Sequence, residues 1–213
     1  MTPPTVNAYY SPSENDINFP AGILQPPFFD RTEDDAVNFG GIGVVIGHEL
    51  THGFDDQGSK FDGKGNLSNW WTATDLTEFG KRTGCIADEY GSFVAVEDVH
   101  LNGKLTLGEN TADNGGVRIA LMALRKAMAA DAQNAAKQTK NGFTPEQRFF
   151  LGFARVWCEN KTPELARLSV RTDQHSPGQW RVNGVVQNMS EFQKAFKCKA
   201  GQPMVKEPAC HVW

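Results

Sequence analysis

His48-Glu49-Leu50-Thr51-His52 decides how this chain of 213 residues is read. Two imidazoles four residues apart on a helix stand one turn above each other and can grip a single metal ion. In the zinc-hydrolase form of this pattern the neutral ring nitrogens bind Zn²⁺, and the intervening carboxylate, here Glu49, acts on the metal-bound water as general base. The flanking residues favour a helix held inside the protein. Gly40-Gly41-Ile42-Gly43-Val44-Val45-Ile46-Gly47 precedes the motif, an apolar, small-residue run that buries a helix on most of its faces and lets neighbouring backbone come close. Gly53 and then Phe54-Asp55-Asp56-Gln57-Gly58 follow, so the helix is expected to stop within about a turn of His52, with Gly58 as the stop.

A catalytic zinc takes three protein ligands and keeps one position open, so a third ligand must come from elsewhere. Gly108-Glu109-Asn110-Thr111-Ala112-Asp113-Asn114-Gly115-Gly116 supplies the best candidate. Glu109 and Asp113 lie one helical turn apart and face the same way. Glu109 is placed to ligate, and Asp113 to accept the far N–H of a ligating histidine, which fixes its tautomer and raises its basicity. Read alone, the same residues also fit a capping box between Thr106 and Glu109, with Asp113 on a solvated face.

Together with His175-Ser176-Pro177-Gly178 and Cys210-His211-Val212-Trp213, these motifs resemble the neprilysin and endothelin-converting-enzyme family of gluzincin metalloendopeptidases. Val6-Asn7-Ala8-Tyr9-Tyr10 and the stretch 19–29 fit that family as well, so the likeness runs over nearly the whole chain. It implies that residues 1–213 form a thermolysin-like gluzincin catalytic domain, mainly α with a small antiparallel β edge (α+β). The implied activity is zinc-dependent cleavage of oligopeptides on the N-terminal side of bulky hydrophobic residues. One Zn²⁺ would sit on His48, His52 and Glu109, with Glu49 as base and Asp113 in support. His175 would stabilise the tetrahedral oxyanion, oriented by Asp173. Arg181 would hold a substrate carbonyl, which suits its rigid fork of donors. Asn7 and Ala8 would clamp the substrate backbone. Ile23, Phe28, Val44, Val45 and Trp157 would line the pocket for the residue after the cleaved bond. Without the resemblance, His175 reads as a loop histidine beside a turn, Arg181 as a surface ion-pair partner, and the pocket residues as ordinary core.

Members of that family are longer and carry a large helical N-terminal half that encloses the active-site chamber. Residues 1–213 correspond to the catalytic half, which leaves a second reading: a zinc-binding fragment that is incompetent until it meets the other half. Four cysteines allow three complete pairings, and spacing does not choose among them. The resemblance pairs Cys85 with Cys210 and directs Cys158 and Cys198 to the other half, so that both would be thiols here unless they lie close enough to join each other. Such bonds imply an extracellular or periplasmic parent protein.

Local patterns fill in the rest. Val6 to Tyr10 reads as a strand, Ser11 to Asp16 as a turn and Ile17 to Phe19 as a second strand, an edge to which an extended peptide can add. Helices are expected from Thr72 with Asp75, from Thr106 or its neighbours to about Ala130, and from Thr144-Pro145-Glu146-Gln147 through Phe149, Phe150, Phe153 and Trp157. A last helix, Ser190 to Lys197, would be boxed by Ser190 and Gln193, while Asp131 to Asn141 reads as a solvated helix end or loop. A content of 39 % hydrophobic and 22 % charged residues suits one globular domain. A net charge of −4 gives no footprint for nucleic acid or an anionic membrane. The longest apolar stretch, Ile42 to Ile46, is too short to span a bilayer, and the polar, proline-rich residues after Met1 do not read as a signal peptide.

Overall fold

The computed structural model describes residues 1–130 and 139–213. Most of the stretch expected to be solvated, 131–141, lies outside the described residues; Lys140, near its end, bridges to Phe143. The chain is mainly helical with two small antiparallel hairpins. The first pairs β1 (Tyr9–Ser11) with β2 (Asp16–Asn18), Tyr9 lying opposite Asn18. Next comes α1 (Asp35–Asn38), capped by the Asp34 carboxylate on the Val37 N–H. It continues through a π-helical turn, Phe39–Gly43, into α2 (Val44–His52). Then follow α3 (Ala73–Gly91), the hairpin of β3 (Val94–Val96) and β4 (Val99–His100), and α4 (Leu107–Ala130). The chain then forms α5 (Pro145–Val156), α6 (Pro163–Thr172), α7 (Gly178–Val186) and α8 (Ser190–Phe196).

The site is positioned by the crossing of α2 and α4. A Cβ on Gly47 would stand 2.6 Å from the Gly116 carbonyl oxygen, and a Cβ on Gly116 would stand 2.6 Å from the His48 nitrogen. Only glycine at both positions lets the two backbones touch, and that contact brings His48 within reach of α4. The main core lies behind the crossing, where Val117, Leu121 and Leu124 of α4 meet Phe149 and Phe153 of α5, with Val185 and Met189. Burying each of these large side chains contributes about 1.5 to 3 kcal/mol. A second cluster joins Ile86 and Tyr90 of α3 to Leu101, Cys210 and Val212. Cys85 and Cys210 are joined by a disulfide across it, and Cys158 and Cys198 are free thiols. Ala8, Ile23 and Ile42 form a third cluster, with Phe28 and Val45 against it.

Several local expectations shift. α2 ends at His52 with Gly53 as its cap, and Gly58 instead opens a 3-10 turn packed under the His52 carbonyl. As expected, the helix is buried on most of its faces, with Ile46 and Leu50 exposed. The first strand starts at Tyr9 rather than Val6. Thr144 and Gln147 do form a capping box, and Thr72 accepts from the Asp75 N–H. Ser190 and Gln193 form no box: α8 starts from Met189 without a side-chain cap, and the Ser190 hydroxyl lies 3.4 Å from Glu191 Oε2 instead. Nor do Thr106 and Glu109 cap α4. Thr106 Oγ1 accepts from Asn110 Nδ2 and Glu109 turns into the site. Helices α6 and α7 and the β3–β4 hairpin were not expected, although Thr162-Pro163-Glu164 repeats the start signal read at Thr144, with Thr162 accepting from the Leu165 N–H.

Candidate active site

Helix spacing stacks His48 and His52, whose rings meet edge to face with centroids 4.5 Å apart. Asp113 Oδ1, from α4, lies 2.7 Å from His48 Nδ1, and Asp55 Oδ2 lies 2.6 Å from His52 Nδ1. An ionised carboxylate only accepts, so each Nδ1 carries the proton and each Nε2 presents its lone pair when the rings are neutral. Those two Nε2 atoms face each other at 2.9 Å. Glu109 closes the group, with Oε2 at 3.2 Å from His48 Nε2 and Oε1 at 3.7 Å from His52 Nε2. Ligand atoms held about 2.0 to 2.1 Å from a tetrahedral zinc stand roughly 3.3 Å from one another, so these three fit that ion. Opposed lone pairs beside a buried carboxylate are unfavourable until a proton or a cation enters.

The electrostatics agree. Burial acts to lower the pKa of His48, but the Asp113 carboxylate and its hydrogen bond override it and hold the value at about 9. Burial raises the pKa of Glu109, yet hydrogen bonds from His175 and His48 and the charge of Arg181 outweigh it and keep this carboxylate ionised. Glu49 also lies close enough to the two histidines to enter a metal group. Its pKa is raised, chiefly by burial. The two carboxylates therefore differ: Glu109 is held ionised, while burial favours the protonated form of Glu49.

Asp113 is the hub of a buried network. Arg181 of α7 donates to it through Nε and Nη2, both at 2.7 Å, and its guanidinium lies 3.8 Å from the centre of the Trp157 ring. Only 7 % of the Arg181 side chain is exposed, so it is no surface ion-pair partner. His175 enters from the loop between α6 and α7, with Nε2 3.3 Å from Glu109 Oε2 and Nδ1 2.8 Å from Asp173 Oδ1. The hydrogen bond to Glu109 is the main cause of its raised pKa. All these residues border one cleft of about 890 Å³, together with Asn7, Ala8, Ile23, Phe28, Val44, Val45 and Trp157. Asn7 Oδ1 accepts from the Ala8 N–H at 3.0 Å.

Sequence reasoning missed Asp55. It holds His52 as Asp113 holds His48, and its second oxygen accepts the N–H groups of Gln57 and Gly58, both at 2.7 Å. Its position three residues after His52 was the available signal, because the chain turns back on itself as soon as α2 ends.

The profile of peptidase family M13 matches residues 7–212. The chain is 49 % identical over 215 residues to endothelin-converting enzyme 1 of Bos taurus, covering all of this chain and 28 % of that protein. It is 50 % identical over 210 residues to neprilysin-1 of Caenorhabditis elegans, covering 98 % of this chain and 28 % of that one. Among solved structures it superposes on the zinc metalloprotease Zmp1 of Mycobacterium tuberculosis in complex with an inhibitor, with a TM-score of 0.92 and 43 % identity over 100 % of this chain and 33 % of that one. The chain thus spans somewhat over a quarter of the length of these curated relatives. A family profile matched from end to end, and a fold shared over the whole chain, place this protein in peptidase family M13.

Proposed function

We propose that residues 1–213 form the catalytic domain of a zinc-dependent metalloendopeptidase that cuts oligopeptides on the N-terminal side of bulky apolar residues. The observation that carries this reading is the convergence of His48 Nε2, His52 Nε2 and the Glu109 carboxylate on one point, with Glu49 beside it. Membership of the family supports the reaction class. A zinc ion held by His48, His52 and Glu109 supplies a Lewis acid and brings the pKa of a water down to about 7.

The chain's own residues do the rest. Glu49 takes a proton from the attacking water and passes it to the leaving amine; its raised pKa brings it nearer the working pH. His175, steadied by Asp173, donates its Nε2 proton to the carbonyl oxygen as negative charge develops there. Asp113 fixes the tautomer of His48 and anchors Arg181, which stays on the cleft wall to meet a substrate carbonyl. Asn7 and Ala8 lie just before β1, whose outer edge is unpaired among the described residues and suits an extended peptide. Ile23, Phe28, Val44, Val45 and Trp157 give the cleft an apolar wall that favours a bulky side chain.

Peptides are the proposed substrates, and a further part of the polypeptide is the proposed partner that walls the chamber and pairs with Cys158 and Cys198. A fragment that binds zinc but needs that partner for turnover is the second reading, favoured by the share of the relatives that the chain spans. The Cys85–Cys210 bond supports an extracellular or periplasmic setting. No nucleic acid or membrane contact is proposed, and among the described residues no helix is long and apolar enough to cross a membrane. A quenched fluorescent peptide tests the reading: cleavage is expected with zinc, and none with chelator or in Glu49→Gln that still binds zinc. A Glu49→Gln chain as fast as the parent would sink the mechanism.

A further inference from the structure

His175 is the least supported member of the site. Its side chain is 42 % exposed, and its partner Asp173, the C-cap of α6, is 40 % exposed. The next residue is different. Ser176 is buried, and its hydroxyl donates to Asn110 Oδ1 at 2.8 Å. Asn110 is fully buried on α4, directly after Glu109, and its Nδ2 donates to Thr106 Oγ1 at 2.9 Å. Thr106 Oγ1 in turn donates to the Asn102 carbonyl at 3.2 Å. The donors run in one direction from Ser176 to Asn102, so the orientation of the Asn110 amide is fixed and each of these side-chain groups is satisfied.

We propose that Asn110 and Ser176 form a strut that positions His175 over Glu109. This deepens the hydrolytic reading and rests on it. Consecutive residues of α4 then do two coupled tasks: Glu109 faces the metal point, and Asn110, about 100° further round the helix, holds the loop that presents His175. The side-chain type follows from its surroundings. Aspartate at 110 would bury a further carboxylate beside Glu109 and Asp113, and leucine would leave the Ser176 hydroxyl without its acceptor. Asn110 does not line the cleft, and Ser176, which does, turns its hydroxyl to Asn110, so both are positioning residues. Without the strut His175 keeps only Asp173 and its contact with Glu109, and a misplacement of roughly 1 Å is enough to cost about 10²-fold in rate.

The test uses the whole chain with zinc added and ¹³C-labelled histidine, the His175 ring signal being assigned with His175→Ala. Ser176→Ala is expected to displace or broaden the His175 signal while those of His100 and His211, which also report that the chain is folded, stay in place. Ser176→Thr, which keeps the hydroxyl, should return the signal towards its parent position. In turnover, Ser176→Ala should lower kcat by about tenfold or more and change KM far less, and it should have no further effect in a His175→Ala background. An unmoved His175 signal in folded Ser176→Ala overturns the proposal, and so does a Ser176→Ala effect that persists in full once His175 is gone. The ring measurement needs no turnover, so it decides the strut separately from whether the chain hydrolyses peptides.

Discussion

Replacing Asp113 by alanine separates its two tasks. Its oxygens meet His48 Nδ1, Arg181 Nε and Arg181 Nη2, each at 2.7 Å, with 1 % of the side chain exposed. Loss of the carboxylate leaves the His48 ring unfixed, and removal of such a partner weakens metal binding by about 10- to 100-fold. That corresponds to about 1.4 to 2.8 kcal/mol of binding free energy. It also leaves the Arg181 guanidinium buried without its partner, a break that costs about 3 to 5 kcal/mol of stability. Two neighbours temper the second cost: Glu109 Oε2 lies 3.6 Å from Arg181 Nη2, and the Trp157 ring covers the guanidinium. Asp113→Asn keeps the volume and one acceptor oxygen, so it should lose less stability while zinc still weakens by about tenfold. Chelator competition gives the zinc affinity, and urea unfolding with and without zinc gives the two stabilities. The extra stability conferred by a fixed zinc excess should shrink by the same 1.4 to 2.8 kcal/mol, roughly, because binding adds to stability logarithmically in affinity. Asp113→Ala with zinc affinity within about twofold of the parent would refute the reasoning.

Four other outcomes are expected. Because the zinc-free His48 has a pKa of about 9, a proton must leave as zinc enters, so apparent zinc affinity should fall about tenfold per unit as pH drops below that value; a flat profile between pH 7 and 9 would contradict it. In the chelated protein the sign is opposite: a pKa raised above 6.5 stabilises fully below that pH, and the contribution fades as pH rises through about 9, which urea midpoints across that window should follow. The Cys85–Cys210 bond closes a separation of 125 residues, so Cys85→Ser should lower stability by about 2 to 5 kcal/mol in chemical denaturation; no change would mean the bond is not formed in the folded protein. Cleavage of a mixed peptide library should favour Phe, Leu or Ile after the cut bond, with each lost methylene costing about 1 kcal/mol or more, and a dominant preference for charged residues there would remove the pocket assignment.

Much of the site was legible because its parts repeat at helical spacing. His48 with His52 and Glu109 with Asp113 each announce one face of one helix, and that is a local property of the chain. The cap at Thr72 and the capping box with its proline start at Thr144 are local in the same way, and the proline start at Thr162 was there to be read. Which faces meet was not local. Gly47 and Gly116 lie far apart in sequence, and only their backbone contact sets α4 so that Asp113 reaches His48 Nδ1 and Glu109 reaches Nε2. Arg181 gave no sign in sequence that it would be buried against Asp113, because an isolated arginine is as consistent with the surface as with a buried pair. Asn110 and Ser176 are polar residues that sequence treats as helix or turn surface; they meet each other across the fold, and burial makes that hydrogen bond decisive, whereas Asp55 finds His52, Gln57 and Gly58 close by in the chain. The sequence by itself determined the candidate ligand types and their pairing along each helix, since that follows from a period of 3.6 residues. Only the tertiary structure decided the distances between them, the tautomers, and which carboxylate has its pKa lowered and which raised, since those depend on desolvation and on charges that only the packed chain brings together.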